Sequence, residues 1–317
     1  MLQTKALYNL LRLNAAEDPT VTAESWALED LRQVPLEDLF TRLQKFQVQV
    51  SKHSFIEFAN QCDTPEDLTD LLLLDEEADE NTRDPFYLLV FELWRRLVPE
   101  KQSLSIFCDE LDHRIALYDL EEVDSDELIQ DALANLLEVL DENADTGAEP
   151  QDVFVAICDY CAHDIESFLY EYISELLDSG NSLYGSELIE GFSPYITEPL
   201  WFDFLRIRLL AFTEIGDANI AMHRLLENEV DLSLLLEILR FLSANGEHEL
   251  FKLAIDKTLP LLVDEEELTE VMNLIAEYYR RLDEDDMEQS VQKILHKRKA
   301  GPVTPSDLKT LQDLLSK

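Results

Sequence analysis

DELIQDALANLLEVLDE, residues 126–142, shows most clearly how this chain folds. Its apolar residues recur three and four positions apart: Leu128, Ile129, Ala132, Leu133, Leu136, Leu137 and Leu140. The acidic residues fall off that set: Asp126, Glu127, Asp131, Glu138 and Asp141. Because this spacing places one apolar stripe along a helix, the stretch predicts an amphipathic helix with an acidic outer face.

The same periodicity runs through most of the 317-residue chain. It recurs over residues 165–176 and again over residues 268–282. Only 7 glycines and 11 prolines are present, which is too little turn chemistry for an all-β fold, whereas leucine, glutamate and alanine favour helices. We therefore predict an all-α protein of about 17 helices, with antiparallel hairpins stacked as an α-solenoid or as consecutive helical bundles.

Local signals mark three helix starts and one central helix. Thr64-Pro65, Asp84-Pro85 and Thr304-Pro305 each place a side-chain oxygen directly before a proline. The oxygen caps the first N–H groups, and proline loses nothing at the first helical position, so we expect a helix to begin at each pair. Residues 200–215 are apolar nearly all round, which is typical of a central, buried helix.

Residues 200–295 contain three similar helix–turn–helix patterns. Gly216-Asp217 follows the first apolar helix, and the turn recurs at Gly246-Glu247 and Leu282-Asp283. A small residue follows the turn only in the first copy, at Ala221. The pattern resembles the tetratricopeptide helical hairpin, with variable spacing between copies. The resemblance implies stacked hairpins with a concave groove that binds a peptide or a protein.

Shifts in composition divide the chain into three parts. Residues 141–151 are polar, so we expect an N-terminal helical domain over residues 1–143 and a helical-repeat domain over residues 148–299. A C-terminal amphipathic helix should follow over residues 300–317. Residues 178–199 contain three of the seven glycines and several aromatic residues, which predicts a further connection. Long connections of this kind are often functional, and an ordinary loop between bundles is the alternative.

Negative charge is concentrated in the middle of the chain. The formal net charge is −43, from 68 acidic and 25 basic residues. Residues 115–205 contain 23 acidic residues and no Lys or Arg, whereas residues 293–317 carry a net charge of +4. The carboxylates of the middle stretch must face water, cations from elsewhere in the chain, or a basic partner. Direct binding of nucleic acid is not expected, because this stretch has no cation to neutralise phosphates.

Two motifs invite interpretation as a metal site. Cys158-x-x-Cys161 has the spacing of zinc ligands, but such a site needs a second pair, and Cys62 and Cys108 are isolated in the sequence. Cys158 and Cys161 also fall on an apolar helix face, where free thiols pack as small core residues. Glu110-x-x-His113 is one half of a di-iron motif, and no second copy exists. We therefore predict no metal, no cofactor and no catalytic residue.

We expect neither a membrane span nor an export signal in this sequence. No stretch approaches the ~18 apolar residues of a membrane span, and residues 1–13 show an amphipathic pattern without the apolar core of a signal peptide. Four cysteines are too few for a disulfide scaffold of this length. We expect a soluble protein in a reducing cytoplasm, with no membrane contact.

Charge and helical pattern together predict an interaction protein. We expect a non-enzymatic scaffold or chaperone-like adaptor that binds a basic protein, steered in by the negative field. The alternative is a nucleic-acid mimic that inhibits a DNA- or RNA-binding protein, and a carboxylate- or metal-dependent enzyme comes third. A merely solvated surface is the simplest interpretation of the acids. The predicted partner-binding residues are Asp119, Glu121, Glu122, Asp124, Asp126, Glu127, Asp141, Glu142, Tyr184, Phe192 and Tyr195.

Overall fold

The computed structural model of the protein describes residues 3–73, 79–121, 125–298 and 301–315. Helices account for 75% of it. The described residues form eighteen α-helices and two short 3-10 helices, and no strand occurs among them. The predicted all-α class is confirmed.

The chain forms two compact units. The first comprises residues 1–169 and 194–196, and the second comprises residues 170–193 and 197–317. The sequence suggested a boundary at residues 144–147 instead. That polar turn joins helices Ser125–Asp145 and Pro150–Cys158, which pack against each other within the first unit.

The first unit contains helices α1 to α9 and the beginning of α10. Their bounds are α1 Thr4–Glu17, α2 Ser25–Leu28, α3 Leu36–Gln44, α4 Lys52–Ala59, α5 Pro65–Leu72, α6 Glu80–Leu97, α7 Leu104–Asp119, α8 Ser125–Asp145 and α9 Pro150–Cys158. A 3-10 helix, Leu31–Gln33, lies between α2 and α3. Every residue of α6 from Phe86 to Trp94 is buried, because α3, α4 and α5 all pack against this helix.

Capping decides where α5 and α6 begin. Thr64 caps α5 as predicted: its hydroxyl accepts from the Asp67 N–H, and its own N–H donates to the Asp67 carboxylate, both at 3.1 Å. The start predicted at Asp84-Pro85 was wrong. Helix α6 begins at Glu80, because the Asp79 carboxylate accepts a hydrogen bond from the Thr82 N–H at 3.0 Å. Pro85 therefore lies inside the helix.

The second unit contains the rest of α10 and all of α11 to α18. Their bounds are α10 Ile165–Asp178, α11 Ser182–Phe192, α12 Pro199–Ala211, α13 Ile215–Leu226, α14 Leu232–Asn245, α15 His248–Thr258, α16 Glu265–Arg281, α17 Asp285–Lys297 and α18 Pro305–Leu315. A 3-10 helix, Leu259–Leu261, follows α15.

Helices α12 to α17 form three consecutive hairpins. Helix α12 pairs with α13, α14 with α15, and α16 with α17, while α14 and α16 also pack side by side. Phe204 of α12 meets Phe241 of α14 edge to face at 5.9 Å, and Phe251 of α15 stacks on Tyr278 of α16 at 3.8 Å. The predicted hairpins are therefore present, and membership of the tetratricopeptide family stays a prediction.

The sequence predicted a single buried helix over residues 200–215, and that prediction was wrong. Helix α12 ends at Ala211, and Ile215 begins the next helix. Phe202, Phe204, Leu205 and Ile207 are buried, whereas Phe212 is 63% exposed. The apolar residues near the end of α12 thus lie at the surface of a hairpin turn.

The basic C-terminal segment docks on acids of its own unit. The Arg298 side chain is 9% exposed and lies 3.5 Å from carboxylate oxygens of both Glu265 and Asp307. Helix α18, which follows, buries Leu311 and Leu314. The amphipathic helix predicted in residues 300–317 therefore covers Pro305–Leu315.

Candidate protein-interaction surface

Helix α8 places a row of carboxylates opposite its buried face. Ile129, Leu133, Leu136 and Leu140 are fully buried. The opposite side carries five exposed acids, here named the α8 acidic stripe: Glu127, Asp131, Glu138, Asp141 and Glu142. With 3.6 residues per turn they fall within a sector of about 100°, and a rise of ~1.5 Å per residue spreads them over about 22 Å.

The α8 acidic stripe has little compensation from the protein itself. Among the described residues, none of its five carboxylates forms an ion pair, and residues 115–205 contain no Lys or Arg. Asp141 accepts a hydrogen bond from the Tyr195 hydroxyl. Glu138 lies three and four residues before Asp141 and Glu142, so these like charges repel each other. Glu142 also lies in the last turn of α8, where the helix dipole disfavours negative charge.

Of the acidic residues that the sequence predicted to bind a partner between the end of α7 and the start of α8, four are described and exposed. Asp119 is exposed at the end of α7, and Glu121 follows it, exposed, with a positive φ of 51°. Asp126 and Glu127 are exposed in the first turn of α8, where negative charge suits the dipole. The remaining two predicted acids, Glu122 and Asp124, lie outside the described residues.

The connection with aromatic residues predicted over residues 178–199 was wrong, because residues 182–192 form helix α11. Phe192 is fully buried and Tyr195 is 4% exposed, so neither side chain is available to a partner in this structure. Tyr184 is partly buried and meets Tyr172 edge to face at 6.5 Å. A Cβ on Gly185 would lie 3.1 Å from the Leu177 side chain, so this glycine allows close helix packing.

A sequence signal for α11 was present. Leu188, Ile189 and Phe192 follow helical spacing, and all three are buried. The three glycines of residues 178–199 indicated turns instead of a helix. Of these, only Gly180 has a positive φ, 82°, and it ends the turn before α11.

Glu110 and His113 do not form half of a metal site. Two arginines hold the Glu110 carboxylate: Arg32 Nη1 at 3.1 Å and Arg114 Nε at 3.0 Å. Burial opposes ionisation of Glu110, but the charges and hydrogen bonds of Arg32 and Arg114 together outweigh it and lower the pKa of the carboxyl. Burial and the same arginine lower the pKa of His113. Within the described part of the chain, no group of three or more His, Cys, Asp or Glu residues has a geometry that could hold a metal ion.

The cysteine pair has a neighbour that the sequence did not reveal. Cys108 of α7 donates a hydrogen bond to the Ile157 carbonyl at 3.6 Å, which brings it beside Cys158 and Cys161. Burial raises the pKa of the Cys158 thiol to about 12. A hydrogen bond with Cys108, together with burial, raises the pKa of Cys161 well above its usual range. Because thiolates are the nucleophiles and metal ligands, these protonated thiols act as packing groups.

A buried polar network, which sequence analysis missed, joins α1, α7 and the turn after α9. Its centre is Asp109, which is 3% exposed and accepts hydrogen bonds from Lys5, from Asn9 at 2.9 Å and from Arg32 at 2.7 Å. Burial opposes ionisation of Asp109, but the charges of Lys5 and Arg32 hold its pKa well below the usual range. The network is a structural clamp, since its charges are paired and buried.

One turn along α7, Asp112 completes the clamp. Its carboxylate accepts from the backbone N–H groups of Ala162 and His163, at 2.9 and 3.1 Å, and lies 2.9 Å from His163 Nδ1. Asn9 donates to it from α1 at 3.2 Å. Asp112 thereby fixes the turn that follows the cysteines.

A second acidic surface lies on the hairpins of the other unit. Helix α16 lines a groove of about 520 Å³ with Glu265, Glu266, Glu270 and Glu277. Glu270 pairs with Arg240 of α14, and Glu265 pairs with Arg298. Glu266 and Glu277 are exposed, and neither forms an ion pair within the part of the chain that the structure describes.

Comparisons with known proteins identify no relative. No protein-family model matches the chain, and neither the curated proteins nor the solved structures include a significant match. Separately, none of the helices in the described ranges is both long and apolar enough to cross a membrane.

Proposed function

We propose that this protein is a non-enzymatic scaffold or chaperone-like adaptor that binds a basic protein through the α8 acidic stripe. The observation that supports the proposal most strongly is the row of exposed carboxylates opposite a fully buried helix face, none of which forms an ion pair among the described residues. A complementary row of Lys or Arg side chains would steer the partner in and would relieve the repulsion within the stripe.

The arrangement of charge on α8 costs stability without a partner. Like charges spaced four residues apart destabilise a helix by about 0.2–0.5 kcal/mol per pair. Glu138 forms such a pair with Glu142, and α8 has no basic residue in its last turn. A bound cationic surface would offset this cost, whereas the isolated protein retains it.

The three hairpins of the second unit support the same class of function. Stacked helical hairpins provide extended surfaces for peptides and proteins. The groove on α16 adds four glutamates to such a surface. We propose that it contacts a second, basic segment of the partner. The four cysteines are all free thiols, which supports a reducing cytoplasm as the site of action.

Affinity capture from a cell lysate at low salt tests the proposal. The stripe variant carries Glu127→Gln, Glu138→Gln and Glu142→Gln. The control variant carries Glu24→Gln, Glu100→Gln and Glu229→Gln, which removes the same charge from exposed acids outside the helices. We expect the wild-type and control proteins to retain the same basic proteins, and the stripe variant to lose them.

Two results would contradict the proposal. One is an identical set of captured proteins for the stripe variant and the wild type. The other is a captured set that persists unchanged from low to high salt, since exposed charge interactions are screened. Release of a captured protein by duplex DNA would instead favour the alternative function, imitation of a nucleic acid.

A further inference from the structure

The first unit contains a cleft of about 390 Å³ between α6, α7 and α8. Its polar lining includes Arg95, Gln102, Arg114 and Asn135, and its apolar lining includes Phe107 and Leu111. We name it the arginine cleft. Its volume falls within the ~300–1,000 Å³ typical of small-molecule sites. Half of its twelve lining residues are polar, and these include the carboxylates of Glu110 and Asp131 beside the two arginines.

Both arginines are held in place and keep unused N–H groups. Arg95 donates through Nε and Nη2 to Glu92, at 3.0 and 2.6 Å, and the Glu92 side chain is 4% exposed. Arg114 donates through Nε to Glu110 at 3.0 Å. Within the described residues, Nη1 of Arg95 and both Nη atoms of Arg114 make no hydrogen bond. The side chains are 22% and 28% exposed, so water covers them only in part.

The two arginines belong to a cluster of ion pairs that is richer in cations than the rest of this acidic protein. Three carboxylates, Glu92, Asp109 and Glu110, are shared among five cations: Lys5, Arg32, Arg95, Arg96 and Arg114. This arrangement leaves two positive charges in excess. Asp131 also lines the cleft and reduces that excess to one. Glu110 and Asp131 line the cleft beside Arg95 and Arg114, so the free N–H groups of the arginines can donate to one carboxylate, but a second negative charge is not favoured.

We propose that the arginine cleft binds a small organic acid with one carboxylate and an apolar body. The carboxylate accepts hydrogen bonds from the free N–H groups of Arg95 and Arg114, since guanidinium geometry suits carboxylates. The apolar body lies against Leu128 and Ala132, which line the cleft and are only partly buried, whereas Phe107 and Leu111 are 8% and 2% exposed. A doubly charged phosphate fits less well, because Asp131 and the net charge of −43 both oppose a second negative charge.

The test is isothermal titration calorimetry on the full chain with two probes, 4-phenylbutyrate and octanoate. At low salt, we expect at least one acid to bind with 1:1 stoichiometry and a Kd below about 1 mM. The uncharged analogue 4-phenylbutanamide should bind at least about tenfold more weakly, since it cannot form charge-assisted hydrogen bonds.

Three variants locate the binding. Arg114→Gln should weaken binding of the acid about tenfold or more. Arg206→Gln is the matched control, because Arg206 also pairs with a carboxylate on its own helix, Asp203 at 2.6 Å, and lies in the other unit. The Arg206→Gln variant should bind the acid as tightly as the wild type. Ala132→Leu partly fills the cleft without changing charge, so it should also weaken binding even if Arg114→Gln perturbs folding.

Several outcomes would overturn the proposal. These are the absence of saturable binding of both acids below about 10 mM, equal binding of the amide, and tighter binding of inorganic phosphate. Unchanged binding of the acid to both the Arg114→Gln and the Ala132→Leu variants would place the ligand elsewhere.

Discussion

Neutralising the end of the α8 acidic stripe should stabilise the isolated protein. The change is Glu138→Gln with Glu142→Gln, which keeps side-chain size and helix propensity. It removes two like-charge pairs, Glu138 with Asp141 and Glu138 with Glu142, worth about 0.2–0.5 kcal/mol each. It also removes a negative charge from the last turn of α8, worth about 0.3–1 kcal/mol.

These terms sum to about 0.7–2 kcal/mol in the free energy of unfolding at low ionic strength. For a unit of this size, each kcal/mol raises Tm by roughly 2–4 °C. Differential scanning calorimetry measures the shift, and hydrogen exchange of the α8 amides assigns it to this helix. Glu24→Gln with Glu100→Gln is the control, because these exposed acids lie outside helices and have no like-charged helical neighbour.

The salt dependence provides the critical comparison. At 0.5 M NaCl the difference between variant and wild type should shrink, since the screening length falls well below ~10 Å. A variant that is less stable than the wild type, or a gain that does not change with salt, would refute the repulsion within the stripe.

Three further predictions concern the core. Phe192→Ala should destabilise the second unit by about 3–5 kcal/mol in urea unfolding, because Phe192 is fully buried; an effect below 1 kcal/mol would mean that this side chain is accessible. Asp109→Asn should cost about 3–5 kcal/mol, because Lys5 and Arg32 lose a buried partner. The pKa of Asp109 is lowered by folding, so the wild type should lose this contribution as pH falls below about 4, whereas the variant should show a shallower loss in acid unfolding. Cys158, whose pKa is raised to about 12, should react slowly with iodoacetamide in the native protein at pH 8 and faster in urea, because little of the native thiol is ionised; equal rates would contradict the raised pKa.

The sequence was most informative where one helix has two clearly different faces. The spacing of Leu133, Leu136 and Leu140 predicted α8 and its acidic side, and the structure buries all three. In α11 the same spacing was present, but glycines and a proline nearby suggested a loop. Gly185 marks a close contact with Leu177, which depends on the neighbouring helix and so leaves no local signal.

The buried clamp and the arginine cleft could not be predicted from spacing. Lys5 and Asp109 are 104 residues apart, and nothing local distinguishes this lysine from a surface one. Similarly, Cys108 was judged isolated because its neighbours lie about 50 residues further along the chain. Such groups become recognisable only when tertiary packing brings α1, α7 and the turn after α9 together.

The most direct test of the acidic-stripe proposal is the Kd of a captured basic partner as a function of NaCl concentration. It is measured for the wild-type protein, for the stripe variant and for the control variant. At low salt, three lost charge interactions of about 0.5 kcal/mol each should weaken the stripe variant's binding about tenfold, whereas the control should match the wild type. At 1 M NaCl all three values should converge. Equal affinities and equal salt dependence for the stripe variant and the wild type would contradict the proposal.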